Sequence, residues 1–313
     1  MEPDRWLGVE LRHLAALQAL AQEGSFGRAA RRLGYTQSAI SQQIAALERA
    51  VGERLVERPG GPRPVTLTQA GRLLVAHADA IVARLKAAQA DMAALSEGAA
   101  GTLRVGTFQS VGARILPAVM ARFTAAWPDV EIELTESAHD VELALSVERG
   151  ELDLCFVMLP IDAKPLEIVQ LLQDPYVLVM RPDSPLAGRD RPPTLREIAE
   201  QRLIGFRDCR SSDMVEAQLR ATGREPNFVF RSDDNGTLQG LAGAGVGVAV
   251  LPRLTVEPSD GSVAVVELGN RMAPRLIGIA WHRDRYQSPA ASAFVETAKE
   301  VCRELVRPVL TAA

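Results

Sequence analysis

The run Gly24-Ser-Phe-Gly-Arg-Ala-Ala-Arg-Arg-Leu-Gly-Tyr-Thr-Gln-Ser-Ala-Ile-Ser-Gln-Gln-Ile-Ala-Ala-Leu-Glu48 decides the fold of the N-terminal part. Ala29, Ala30 and Leu33 give a short helix, Phe26 to Leu33, a small apolar face that lets a partner helix come close. Ser25 stands at its N-cap position, and Gly34 ends it where a left-handed residue is wanted. Thr36 caps a further helix from about Gln37 to Ala50, with Ile40, Ile44 and Leu47 inward. Upstream, Leu11, Leu14, Leu17 and Leu20 mark the buried face of a first helix. Two short helices joined by a four-residue turn containing Gly make a helix-turn-helix. The outward positions of the last helix are Gln37, Ser38, Ser41, Gln42 and Gln43. Such side chains hydrogen-bond to base edges in a major groove, and the face carries no charge until Glu48.

The 313 residues hold 35 Lys+Arg and 39 Asp+Glu, a net charge of −4 that, taken as a total, argues against nucleic acid. The charge is divided. From Phe26 to Arg72 there are eight arginines and three glutamates, a surplus of +5, whereas from Ala99 onward the balance is −6. A basic head on an acidic body is the pattern of a chain that meets DNA at one end. Within the head, Arg28, Arg31, Arg32 and Arg58 are the residues suited to phosphates, where they position the head without reading sequence.

These residues, with Gly52-Glu-Arg-Leu-Val-Glu-Arg58 and Leu67-Thr-Gln-Ala-Gly71, resemble the LysR-type transcriptional regulators over about the first 70 residues. The resemblance implies a winged helix-turn-helix in which Gln37, Ser38, Ser41 and Gln42 face the operator. Arg58 and Arg63 would lie in the wing near phosphates or the minor groove. Two positions depart from the family: many members have Arg where Gln42 stands and Phe where Val56 stands. The first bears on base preference, the second on packing under the wing.

Residues 69–97 contain no Pro and a single Gly. Leu74, Ala78, Ile81, Leu85, Ala88, Met92 and Leu95 alternate in steps of four and three, a heptad seam for pairing two copies. The competing reading is an amphipathic helix packed on its own domain. In the family this element is the linker helix of the dimer, and a two-fold dimer sets two recognition helices about 34 Å apart on a roughly palindromic operator. Family members often go on to form tetramers.

Beyond Gly101, strand and helix patterns alternate. Strands are expected at 103–108, 130–134, 152–157, 176–180, 203–206 and 228–232; helices at 113–126, 141–148, 194–200, 212–222, 236–244 and about 290–307. The alternation predicts doubly wound α/β in two lobes. Leu103-Arg-Val-Gly106, Gly150-Glu-Leu-Asp-Leu154 and the Gly-rich Thr237–Pro252 resemble the LysR-type effector domain with its periplasmic-binding-protein-like fold. The expected organisation is therefore a winged helix-turn-helix at 1–68, a linker and dimerisation helix at 69–98, and an effector domain at 99–313. Lobe one would be about 101–166 plus 272–313, and lobe two about 167–271. Ligands of such sheets sit at strand carboxyl ends against helix N-termini. That singles out Thr107, Phe108, Gln109 and Ser110 on one lobe, and Arg207, Ser211, Ser212, Asn235, Gly236 and Thr237 on the other. Ordinary helix capping explains the Ser, Thr and Asn positions as well as ligand contact does. A small carboxylate or aromatic acid is the usual effector of the family, whereas Asp233 and Asp234 close by favour a neutral or amine-bearing one.

Other chemistry finds little support. The Gly-rich 240–247 segment lacks GxGxxG; His13, His77, His139 and His282 are scattered; no GxSxG occurs. No cofactor, metal or catalytic set is expected. Cys155, Cys209 and Cys302 make no disulfide framework, and Cys209, in the expected cleft, has no resolving thiol nearby. The N-terminus reads as no secretory signal, and the longest apolar run, Leu241–Leu251, is too short for a bilayer, so a soluble cytoplasmic chain is expected. A small-molecule-binding protein or enzyme on the same two-lobed fold is the alternative, and it has no use for the head. A constitutive repressor with an empty cleft is a third reading.

Overall fold

The computed structural model describes residues 5–57, 64–97, 101–257 and 259–306. The chain divides into two compact units, residues 1–90 and 91–313.

The first unit opens with a single 3₁₀ turn and then α1 (Leu11–Glu23), α2 (Phe26–Leu33) and α3 (Gln37–Val51). Leu14, Leu17, Leu20, Ala29, Ala30, Ile40, Ile44 and Leu47 form one core. Leu11 is 44% exposed and does not share the inward face expected for it. Gly34 has φ +71°, the left-handed conformation that ends α2, and Thr36 Oγ1 accepts the Ala39 N–H at 3.2 Å at the start of α3. Ser25 holds the N-cap position of α2 without a capping side-chain bond. The wing strands β1 (Val56–Glu57) and β2 (Thr66–Leu67) pair antiparallel. Glu48 explains why the wing sits where it does: its Oε1 accepts the N–H of Leu55 at 2.9 Å and of Val56 at 3.3 Å.

The long helix α4 (Gln69–Glu97) begins against this core. Thr68 donates its hydroxyl to Arg54 O and accepts the Gly71 N–H at 3.0 Å. Gly71 is required by space: a Cβ there would lie 2.0 Å from the Leu55 carbonyl oxygen.

The second unit contains two five-stranded sheets among the described residues. Its first part runs β3 (Gly101–Thr107), α5 (Gln109–Arg114), α6 (Leu116–Ala126), β4 (Val130–Glu136), α7 (Asp140–Glu148), β5 (Leu154–Leu159) and β6 (Leu166–Asp174). The other sheet follows with β7 (Tyr176–Met180), α8 (Leu195–Ala199), β8 (Arg202–Gly205), α9 (Arg210–Arg220), β9 (Asn227–Arg231), α10 (Asn235–Gly243), β10 (Val248–Pro252) and β11 (Ala264–Glu267). The chain returns through β12 (Arg275–His282) and ends in α11 (Pro289–Val306). Strand orders are β4-β3-β5-β12-β6 and β11-β7-β10-β8-β9.

Three expectations are corrected here. Both sheets are mixed rather than doubly wound and parallel throughout: β12 lies antiparallel between β5 and β6, and β7 lies antiparallel between β10 and β11. The lobe switch expected at 166/167 falls at 174–176, because β6 pairs with β12 along its length and so belongs to the first sheet. The single helix expected at 113–126 is split at Ile115, with Pro117 in the first turn of α6, where its missing N–H costs nothing. Phe294, Val295, Ala298 and Val301 of α11 pack with Val119 and Phe123 of α6, closing the core of the first lobe.

Candidate DNA-facing helix and interlobe cleft

On α3, Gln37, Ser38 and Gln42 are exposed and Ser41 is half-buried, so these four point away from the core on one helix face. Gln43 departs from the expected outward set: its Oε1 is buried and has no hydrogen-bond partner. Arg28, Arg31 and Arg32 of α2 are exposed beside this face in sequence. Two of them are engaged by Glu23, whose carboxylate oxygens lie 3.5 Å from Arg28 Nε and 3.5 Å from Arg32 Nη1. Glu23 therefore competes with any phosphate for both guanidinium groups. Arg58 and Arg63 lie outside the described residues.

The heptad positions divide. Leu74 and Ala78 are buried in the head's own core, which withdraws them from a helix–helix seam. Ile81, Leu85, Met92 and Leu95 are 46–65% exposed, and Ala88 is exposed too. Farther along the helix, Asp91 Oδ1 takes the Nε of Arg285 at 3.1 Å, and Arg285 also donates to Leu152 O at 3.2 Å.

In the second unit the carboxyl ends of β3 and β8 face one cleft. Phe108, Gln109 and Ser110 from the first lobe meet Phe206, Cys209, Ser211 and Asn235 from the second across a cavity of about 450 Å³, counting space open at its mouth. Of the expected effector residues, Thr107, Arg207, Ser212, Gly236 and Thr237 do not line it. Thr107 is buried behind the wall; Thr237 gives its backbone N–H to Asp234 Oδ1 at 2.7 Å; and Arg207 extends outward, 3.7 Å from Asp233.

The floor is a residue that sequence reading missed. Arg275, 5% exposed, places Nε 2.6 Å from Asp174 Oδ2 and Nη2 2.6 Å from Ser110 Oγ, and its guanidinium lies 5.5 Å from the Phe108 ring centre. Asp174 also accepts the Leu254 N–H at 3.0 Å. Burial pushes the Asp174 carboxyl above the usual range, and Arg275 with these backbone donors pulls it back. Under the floor Tyr176 and Ser211 share a hydroxyl–hydroxyl bond of 2.9 Å.

Two clasps cross the cleft. Arg210 Nη1 donates to Asp140 Oδ2 at 2.8 Å and to Met158 O at 2.7 Å, and its Nη2 donates to Pro160 O. On the other side Gln109 Nε2 donates to Asp234 Oδ2 at 3.0 Å while its Oε1 accepts the Asn235 N–H at 3.1 Å. Burial pushes the Cys209 thiol up. A low-pKa nucleophile is not what this environment makes. Among the described residues no cluster of three or more His, Cys, Asp or Glu is arranged to hold a metal.

A basic helix-turn-helix followed by a two-lobed domain with an interlobe cleft defines a DNA-binding regulator with a ligand-binding body. Comparisons agree. Residues 11–72 match the family model "Bacterial regulatory helix-turn-helix protein, lysR family", and residues 96–303 match "LysR substrate binding domain". The SDS degradation transcriptional activation protein of Pseudomonas sp. is 32% identical over 294 residues, 91% of this chain and 94% of that protein. OxyR of Escherichia coli, a DNA-binding transcriptional dual regulator, is 29% identical, over 94% of this chain and 95% of its own. Among solved structures, full-length CbnR complexed with its target DNA superposes with a TM-score of 0.63 at 22% identity, covering 93% and 99% of the two chains. The chain belongs to the LysR family. It is a LysR-type DNA-binding transcriptional regulator with an effector-binding domain.

Proposed function

We propose that the protein binds a roughly palindromic operator as a homodimer or a tetramer built from dimers, and that a small molecule in the interlobe cleft alters operator binding or promoter activation. Gln37, Ser38, Ser41 and Gln42 read base edges; Arg28, Arg31, Arg32, Arg58 and Arg63 hold phosphates. Ile81, Leu85, Ala88, Met92 and Leu95 form the seam with a second copy. Phe108, Gln109, Ser110, Ser211 and Asn235 contact the effector. The protein works in the cytoplasm, where its head reaches the chromosome, and performs no catalysis.

The observation that carries this reading is the cleft itself. Residues from both lobes converge on it, and each lobe is clasped to the other at its rim by Arg210 and Gln109. A molecule bound there contacts both lobes, so it has unequal affinity for their open and closed arrangements, which is the requirement for a switch. The test is genome-wide mapping of bound DNA, followed by footprinting of the recovered sites with and without metabolites of the neighbouring genes. Inverted-repeat sites whose footprint changes with one metabolite are expected. Footprints indifferent to every metabolite, while the protein still occupies those sites, would leave a constitutive repressor instead.

A further inference from the structure

The charge inventory of the cleft narrows the chemistry of its ligand. Two guanidinium groups stand at the inner chamber and a third, Arg207, extends outward beyond its rim; each has a protein carboxylate against it. Arg275 lies 2.6 Å from Asp174, Arg210 lies 2.8 Å from Asp140, and Arg207 lies 3.7 Å from Asp233. The first two pairs are substantially desolvated: Asp174 and Asp140 side chains are 1% and 9% exposed. Charge for charge the chamber is neutral.

The start of α10, which would draw an anion, is filled as well. There Asp234 accepts the Thr237 N–H at 2.7 Å and Gln109 accepts the Asn235 N–H at 3.1 Å. A carboxylate entering this chamber would lose its water and find each of these cations and capped amides already matched. Burying a charge without a counter-charge is the costly case.

What remains open is neutral hydrogen bonding between aromatic walls. Ser110 Oγ already accepts from Arg275 Nη2, which leaves its own proton to donate. Phe108 and Phe206 line the same cavity and offer aromatic faces to a ligand ring. We infer that the effector of this protein is an uncharged, ring-bearing molecule carrying a carbonyl or hydroxyl group, and that the paired guanidinium groups exclude carboxylates. This rests on the reading of the cleft as the effector site.

The experiment compares charge-matched pairs, benzamide against benzoate and salicylamide against salicylate, by thermal shift and calorimetry on the full chain. Two variants shift the charge balance: Asp140→Asn unpairs Arg210, and Asp233→Asn removes a carboxylate from the chamber wall at an exposed position where folding is not at stake. Wild-type protein should favour the amides, and the variants should gain benzoate affinity by about tenfold, the effect of roughly 1.4 kcal/mol. Wild-type protein that binds the acids as well as the amides overturns the inference. So do variants that gain nothing for benzoate, including the case where every probe is silent on all three proteins. If amides bind but no footprint ever changes, the charge assignment stands and the regulatory reading of the cleft falls.

Discussion

Arg210 of the second lobe reaches the first, its Nη1 2.8 Å from Asp140 Oδ2 and 2.7 Å from Met158 O. The same carboxylate oxygen accepts the Met158 N–H at 2.8 Å, so Asp140 is held by one donor from its own lobe and one from the other. Opening the cleft would strip the second donor from a carboxylate whose side chain is 9% exposed.

Arg210→Ala should therefore loosen the lobes and destabilise the second unit. A fully buried pair broken on one side costs several kcal/mol; Arg210 is 31% exposed, so about 1–3 kcal/mol is the expected loss. Urea denaturation, followed through the unit's own transition, measures it. The double variant Arg210→Ala with Asp140→Asn should recover part of the loss, since no unpaired charge is left behind. A double variant no more stable than the single one would contradict this account.

The head offers a cleaner test of sequence-independent binding. Glu23 holds Arg32 by its carboxylate at 3.5 Å, whereas Arg28 also donates to the Glu23 backbone carbonyl, so Glu23→Gln frees Arg32 toward phosphate. Binding to scrambled DNA should tighten, and the slope of log K against log salt should steepen by about 0.9 for each phosphate gained. Gln42→Ala, by contrast, should leave that slope alone and change which operator is preferred, by roughly 1–3 kcal/mol if the contact is bidentate. Filter binding across a salt series on cognate and scrambled duplexes separates the two.

Thiol chemistry follows from burial. Cys155 is fully buried and pushed far up, chiefly by loss of solvation, and Cys302 is pushed up to about 12 for the same reason. In the native protein iodoacetamide should label Cys209 alone, and more slowly than a small free thiol because burial raises that group too. Labelling of Cys155 and Cys302 should wait for denaturant. Mass spectrometry of native and unfolded samples reads all three sites.

Much of the head was legible because its contacts are local. Gly34 and Thr36 terminate and start neighbouring helices, and the 3.6-residue rhythm of Ile40, Ile44 and Leu47 needs no distant partner. The cleft was half legible. Phe108, Gln109 and Ser110 follow a strand and could be placed by that rule alone. Arg275 could not: its partners Asp174 and Ser110 are 101 and 165 residues away in sequence, and β12 joins a sheet whose other strands all lie more than 100 residues earlier in the chain. Its only local signal is an arginine at the start of an apolar strand, a position that solvated residues often take. The heptad seam was legible as a pattern but not as a division of labour, because Leu74 and Ala78 fit both a partner helix and the head's own core.

The pH dependence of the second lobe can be worked out at α8. Thr194 and Glu197 form a capping box: Thr194 Oγ1 accepts the Glu197 N–H at 3.2 Å, and Glu197 Oε2 accepts the Thr194 N–H at 2.7 Å and its hydroxyl proton at 2.8 Å. These bonds favour the ionised carboxylate and hold it at about 2, below its ordinary 4.5. A depressed folded pKa means that the group stabilises the fold above the unfolded value and loses this contribution as pH falls through the folded one. Glu197→Ala should thus lower the melting temperature at neutral pH, and the gap from wild type should narrow steadily on acidification from about 4.5 toward about 2. Arg189, 3.0 Å from Glu197, supplies an internal control. Arg189→Ala removes this ion pair and a bond to the Pro185 carbonyl but leaves the capping box in place, so it should shift melting less than loss of the box. A Glu197→Ala gap that stays constant down to the acid limit would mean that packing, not the ionised cap, is what Glu197 contributes.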